Sequence, residues 1–470
     1  LFYLIAGAII VQDMMPNKKN VFILNSALLS TRDAALWNSL YTAHKSDFEF
    51  LFFTAMATPG LKLPNVIPLS YGKNIFFEAY NDEVSLHKDQ VELIAGHDKI
   101  WEHYDPINSK RVAYSWLLYW ISALKICSPS AVYIWNGFHA PEVALAMAAD
   151  TLGIRRYFVE RGPFAGTYAF DERGINYRSS FVAHFEEFGM EVRPEGVARF
   201  AEQYYTGGIS NWGQPDRITS RNDFLNKFAI PDGKTVLFFP SQVNKDSNSK
   251  IFSPHYVSVF DAYKHLTDSL APYSKDVFLL AKKHPMQEGS SSFERLPLTS
   301  GIWVEEAHIF DCIEYSDAIV SINSSSAVEA SLLGKPVLTL GQSILDKNQS
   351  VLGISEKSEL KTRLDDLLTL VKNGKNQVDN LFFSKLLFGY LFSPDSEFNR
   401  IGVQGVHQIP FPKYPADENN NVFPAEELAN IAKVLAIRPP AQIHKNEITL
   451  KEWLVFAKKI PIKILNRFLS

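Results

Sequence analysis

Two carboxylates, an imidazole and a run of serines are the residues here whose types and settings could do chemistry together. Glu160 heads the stretch ERGPFAGTYAFDERGIN behind an apolar run, and Asp246 lies in SQVNKDSN behind the run TVLFF. A carboxylate so placed can be a nucleophile, a base or a turn former. Two that meet across a cleft are the equipment of glycosyl chemistry. His284 ends the run VFLLAKKHP beside Lys283, with Pro285 fixing the backbone after it. An imidazole N–H and an ammonium there can hold an anion. Ser324, Ser325 and Ser326 stand between an apolar run and a helix-forming run in SDAIVSINSSSAVEASLLGKPVLTLG. Backbone N–H groups and the helix dipole point at such a spot and hydroxyls add donors, which suits a phosphate. Ser325 or Ser326 is the expected N-cap.

These residues need elements to position them. Residues 20–25, 48–54 and 66–69 read as strands, with a helix near 33–44. Residues 82–125 are helical in tone, and Trp116, Tyr119 and Trp120 are spaced as core. A strand at 131–135 runs into Asn136, Gly137, Phe138 and His139, followed by a helix at 141–152 and a strand at 156–159. This alternation predicts a doubly wound parallel sheet, in which ligands sit beyond the carboxyl ends of strands. Asn136, His139 and Glu160 all fall there, Glu160 on an irregular loop. Residues 206–222, rich in Gly, Ser, Asn and Pro, read as a linker. A second α/β sheet follows, with strands at 235–239, 277–281, 318–320 and 337–340 and Gln242 just after the first of them. The expected division is an extension at 1–17, a Rossmann-like domain at 18–212, a second at 213–400 and a helical segment at 401–470, including a helix at 425–437.

Composition sets bounds. The chain has 470 residues, room for two or three domains. A hydrophobic share of 46% and a charged share of 21% are those of a soluble globular protein. A net charge of −4 argues against a general nucleic-acid role. The apolar run at 1–11 is too short to span a bilayer and no basic residue precedes it, so it reads as a buried strand or an extension rather than a signal peptide. Cys127 and Cys312 sit in apolar contexts, as reduced thiols of a cytosolic protein would. No His, Cys or Asp cluster has metal-ligand spacing. Asp365 and Asp366 fall in a predicted helix, and Lys335 reads as structural. The tail at 445–470 carries six basic and two acidic residues among apolar ones. It suits the inner face of a membrane and equally suits packing across two domains.

The pieces from Trp135 to Gly341 resemble the capsule polysaccharide synthesis family of bacterial β-Kdo transferases, Kdo being an eight-carbon keto-deoxy sugar acid. They are WNGFHAPEVALAMAADTLGIRRYFVERGPFAGTYAFDERGIN, SQVNKDSN, KKHP and INSSSAVEASLLGKPVLTLG. The resemblance implies a GT-B fold, two Rossmann-like domains with the site between them. It implies CMP-Kdo as donor, a saccharide acceptor in capsule or O-antigen synthesis, and transfer with retention. Asp246 would be the nucleophile and Glu160 the acid/base. His284, Lys283, Ser324, Ser325, Ser326 and Gln242 would hold the CMP-sugar, while Asn136, His139 and Arg161 would touch sugar or acceptor. No cofactor or metal is implied. Arg161 departs from the small polar residue expected at its place. The His-Pro and serine elements are shared with sialyltransferases and with transferases of CDP-linked polyol phosphates, so those remain open, as does a non-catalytic glycan-binding module.

Overall fold

The computed structural model describes residues 19–25, 30–54, 60–69, 88–101, 109–208, 213–285, 300–374 and 377–409. The expected extension at 1–17, the helix at 425–437 and the basic tail at 445–470 lie outside them. The first lobe is built on β1 (Lys19–Asn25), β2 (Phe48–Thr54), β3 (Val66–Pro68), β4 (Ala131–Trp135) and β5 (Arg155–Arg161), parallel in the order β3-β2-β1-β4-β5. These are near-continuous apolar runs because both faces are covered. Phe22 and Leu24 of β1 enter the core beneath α2 (Lys88–Ile100), α3 (Ser109–Cys127) and α4 (Ala140–Thr151). Val21 and Ile23 enter the opposite core with Trp37 of α1 (Thr31–His44), as the two-residue strand period requires. Trp116, Tyr119 and Trp120 pack on one another, and the Trp120 indole donates to Pro141 O at 2.9 Å.

The stretch after Glu160 differs from the loop expected of it. β5 runs on through Arg161, and the chain turns back as β6 (Tyr168–Asp171), antiparallel, with Glu160 opposite Ala169. Gly162 permits this: its N–H donates to Thr167 O at 2.7 Å, and a Cβ there would lie 2.2 Å from Thr167 Oγ1. Helix α5 (Pro194–Thr206) then leads to the second lobe.

The second sheet comprises β7 (Thr235–Pro240), β8 (Val277–Lys282), β9 (Gly301–Val304), β10 (Ala318–Ser321), β11 (Val337–Thr339) and β12 (Val351–Gly353). All are parallel, in the order β12-β11-β10-β7-β8-β9. Around it lie α6 (Ser247–Lys250), α7 (Val259–Leu270), α8 (Ile309–Tyr315), α9 (Ser325–Leu332) and α10 (Leu360–Lys372). Both lobes are doubly wound, and the loops at their carboxyl ends face one another in the GT-B manner. Strand order reverses between β1 and β4 in one lobe and between β7 and β10 in the other, the points where such sheets bind ligands.

The expected boundary at 400 cuts through a return crossing. β13 (Leu391–Ser393) pairs antiparallel with β6, and β14 (Gln404–Gly405) pairs with β13, so both belong to the first sheet. The lobes also share a core. Phe164, Phe200 and Tyr204 of the first lobe join Val236, Phe238, Ile319 and Ala327 of the second, together with Phe382 and Leu391 of the returning chain.

Candidate active site

The turn leaving β4 sets the first half of the site. Asn136 has φ +66° and Gly137 φ +87°, a left-handed pair that Asn tolerates and Gly adopts freely. A Cβ on Gly137 would lie 2.4 Å from the Phe158 ring. Glu142, one turn into α4, gathers the loop: its Oε2 accepts from the N–H groups of Gly137 (2.8 Å), Phe138 (3.0 Å) and His139 (3.2 Å). So held, Asn136 donates through Nδ2 to Glu160 Oε2 at 2.9 Å. The same nitrogen lies 3.3 Å from Ser247 Oγ in the other lobe. Ser247 Oγ is 3.3 Å from Asp246 Oδ1, which caps α6 by accepting from Asn248 N at 3.0 Å. One amide thus ties together the two carboxylates named from sequence, across the cleft.

Their environments differ. Burial pushes the Glu160 carboxyl up to about 7, and the Asp246 charge adds to this. The Arg161 guanidinium, the Arg161 N–H at 2.9 Å and the Asn136 amide pull the other way. Asp246 is the N-cap of the short helix α6. A carboxyl poised near neutrality is suited to act as a base.

The second half is a cleft lined by Lys283, His284, Ser324, Ser325, Ser326 and Glu329, among others. The N-cap is Ser324, not Ser325 or Ser326: its hydroxyl accepts from Ser326 N at 3.3 Å, and its own N–H donates to Ser321 Oγ. Ser325 and Ser326 therefore form the first turn of α9, at its positive end. Burial lowers the His284 pKa, with Asp246 opposing and Lys282 assisting, so its neutral ring offers one N–H. Lys283 pairs with Glu305 at 3.2 Å.

Other residues named from sequence are placed less directly. Gln242 is buried, with both ends of its amide on Asn323: Nε2 donates to Asn323 Oδ1 at 2.9 Å and Oε1 accepts from Asn323 N at 3.2 Å. His139 stacks on Trp101 at 4.2 Å, and burial lowers its pKa to about 4. Arg161 forks onto buried Asp33, 3.1 and 2.6 Å away, and lies over the Trp135 ring. Lys335 binds the carbonyls of Glu314 and Ser316, a structural role.

Three contributors went unnamed. Asn323 Nδ2 donates to the carbonyls of Asn248, Phe252 and Gln342 at 2.9–3.1 Å, stitching the serine loop to the Asp246 segment. Glu329 and Tyr204 share a 2.6 Å hydrogen bond in the cleft wall. Asn323 precedes the serines and Glu329 follows Ser326 by three residues, the only signal the sequence held for either. Among the described residues, no group of three His, Cys, Asp or Glu could hold a metal ion, and no helix is long and apolar enough to cross a membrane.

The profile of the family described as "Capsule polysaccharide biosynthesis protein" matches residues 197–365. Protein FixF of Sinorhizobium fredii (strain NBRC 101917 / NGR234) is 26% identical over 321 residues, 68% of each chain. Among solved structures, the β-Kdo 2,4 transferase of Thermosulfurimonas dismutans KpsC aligns with TM-score 0.43 and 16% identity, over 58% of this chain and 87% of that one. The β-Kdo 2,7 transferase of the same KpsC gives 0.39 and 11%, over 79% and 92%. The S. aureus MnaA–UDP co-structure gives 0.38 and 10%, over 77% and 92%.

Proposed function

We propose, from the premise that residues 197–365 carry the capsule polysaccharide biosynthesis family's sequence, that this chain is a retaining glycosyltransferase moving Kdo from CMP-Kdo to a saccharide of a bacterial surface polymer. The observation that carries the reading is the hydrogen-bonded run from Glu160 through Asn136 and Ser247 to Asp246, beside a serine-lined cleft. The single phosphate of CMP fits the first turn of α9, with Ser325 and Ser326 hydroxyls, an imidazole N–H of His284 and the charge of Lys283 around it. These fixed donors stabilise the leaving phosphate, the work a metal does elsewhere, so none is required. Asp246 then attacks the anomeric carbon and CMP departs. In the second step Glu160 takes the proton of the acceptor hydroxyl as that oxygen displaces Asp246. Asn136 holds Glu160 between the lobes. Arg161 and His139 border the acceptor side, Arg161 offering whatever its fork on Asp33 leaves open. A lipid-linked acceptor at the inner face of the membrane is part of the same proposal.

The test is release of CMP from CMP-Kdo, run beside CMP-sialic acid and a CDP-linked polyol, with mass spectrometry of the protein. Release from CMP-Kdo with a Kdo-sized adduct on Asp246, lost in Asp246→Asn, is expected. Turnover of only a rival donor, or an adduct on another residue, would overturn the assignment.

A further inference from the structure

Glu329 occupies the wall of the donor cleft, and nothing above gives it a task. It lies on α9, four residues beyond Ser325 and three beyond Ser326. Residues at those spacings share a helix face, and helical side chains lean toward the N-terminus. Its carboxyl is thereby carried toward the turn where the phosphate is proposed to sit. The hydrogen bonds around it have a fixed polarity. Ala165 N–H donates to the Tyr204 oxygen at 3.1 Å, so Tyr204 spends its own proton on Glu329 Oε1 at 2.6 Å. Oε1 is thus an acceptor, and a proton on this carboxyl belongs on Oε2. Tyr205 OH, 2.6 Å from Glu329 O, fixes the backbone beneath it.

We infer that Glu329 is a further catalytic residue, a neutral acid that gives a proton from Oε2 to the departing phosphate of the nucleotide. This rests on the CMP-sugar reading. As Asp246 forms its bond to the anomeric carbon, the carbon–oxygen bond to phosphate breaks and its electron pair stays on the phosphate oxygen. The Glu329 proton passes to that oxygen. CMP leaves singly protonated, and the Glu329 carboxylate regains its proton from solvent once the site empties. Burial supports the protonated form by pushing this carboxyl up to about 7, with the Tyr204 hydrogen bond opposing. The other titratable groups lining the cleft are Tyr204 of α5, Lys282 at the end of β8 and Lys283 and His284 after it.

Full-length wild type, Glu329→Gln, Glu329→Ala and Tyr204→Phe are compared in CMP release from CMP-Kdo across pH 6–9, with CMP affinity by calorimetry and folding by thermal melt. Wild type loses kcat on the alkaline side. The Gln variant, whose amide can hydrogen-bond to the phosphate but has no proton to give, loses kcat on the order of 10²-fold and lacks that alkaline limb, as does Ala. Tyr204→Phe removes the bond that favours the carboxylate, so its alkaline limb moves to higher pH. CMP affinity stays unchanged in the Gln variant. A Gln variant that keeps kcat near wild type, one that keeps the limb, or one that loses CMP affinity overturns the inference, the first by reducing Glu329 to a hydrogen-bond donor and the last by making it a carboxylate acceptor for the nucleotide. Wild type that releases no CMP takes down the donor reading as well, and so is told apart from failure of this inference alone.

Discussion

Glu160 illustrates how a residue's surroundings assign its work. Its carboxyl is raised to about 7 chiefly by burial, so near neutral pH it is poised to accept a proton. The first step of the proposed reaction needs only Asp246 and the phosphate donors. Glu160→Gln should therefore lower transfer to acceptor by on the order of 10²- to 10⁴-fold, while the covalent adduct on Asp246 accumulates. Intact-protein mass spectrometry separates this from a Glu160 needed in the first step, where no adduct would build up. The same burial sets a stability signature. A carboxyl whose folded pKa lies above its unfolded value contributes stability below the unfolded value of about 4.5, and this is lost as pH rises through about 7. At pH 8 the buried charge is a net cost of at most about 3 kcal/mol, so Glu160→Gln should melt higher than wild type at pH 8 and no higher at pH 5. A melt difference that does not change with pH would mean Glu160 is not held as described.

At the scale of elements, the turn after β4 decides whether Asn136 reaches both lobes. Gly137→Ala puts a methyl group into the Phe158 ring at a left-handed backbone position. It should cost about 2–4 kcal/mol, read as a lowered melting temperature, with kcat falling as Asn136 shifts. An unchanged melt would mean the turn is not fixed by that contact. Strands β1, β2, β4, β5, β7 and β8 were legible because burial on both faces writes a continuous apolar run. So were the ends of β4, β7, β8 and β10, where a change from apolar to polar residues marks the mouth of a doubly wound sheet. β6 and β13 were not: Leu391 pairs with Ala169, and no local pattern records a partner that distant. Arg161 shows the same limit from the other side. Its neighbours in sequence suggest a ligand contact, whereas its fork goes to Asp33, 128 residues away. The N-cap fell one residue before the expected pair because Ser321 and Ser324 bond each other, a contact that spacing alone does not choose.

Over the whole molecule, the site exists only while the lobes keep their register, and Phe252 shows how that register is held. Its side chain comes from the second lobe but lies in the first lobe's core, against Phe138 at 5.5 Å and Tyr177 at 6.2 Å. Its carbonyl stays with the second lobe, accepting from Asn323 Nδ2 at 3.1 Å and Gln342 N at 2.9 Å. The segment carrying Asp246 is thus bonded to one lobe through backbone and plugged into the other through a ring. Phe252→Ala removes only the plug. It should lower stability by about 3–5 kcal/mol and free the Asp246 segment from its alignment on Glu160. The groups proposed to hold CMP, His284, Ser325 and Ser326, all belong to the second lobe and keep their places. CMP affinity should then stay within about threefold of wild type while transfer falls at least tenfold, since misplacement of about 1 Å at reacting groups carries penalties of that order or more. Calorimetric binding of CMP set against CMP-Kdo turnover in the same preparation gives the answer. Affinity and turnover falling together would show that Phe252 supports the donor cleft itself rather than the alignment of the two lobes.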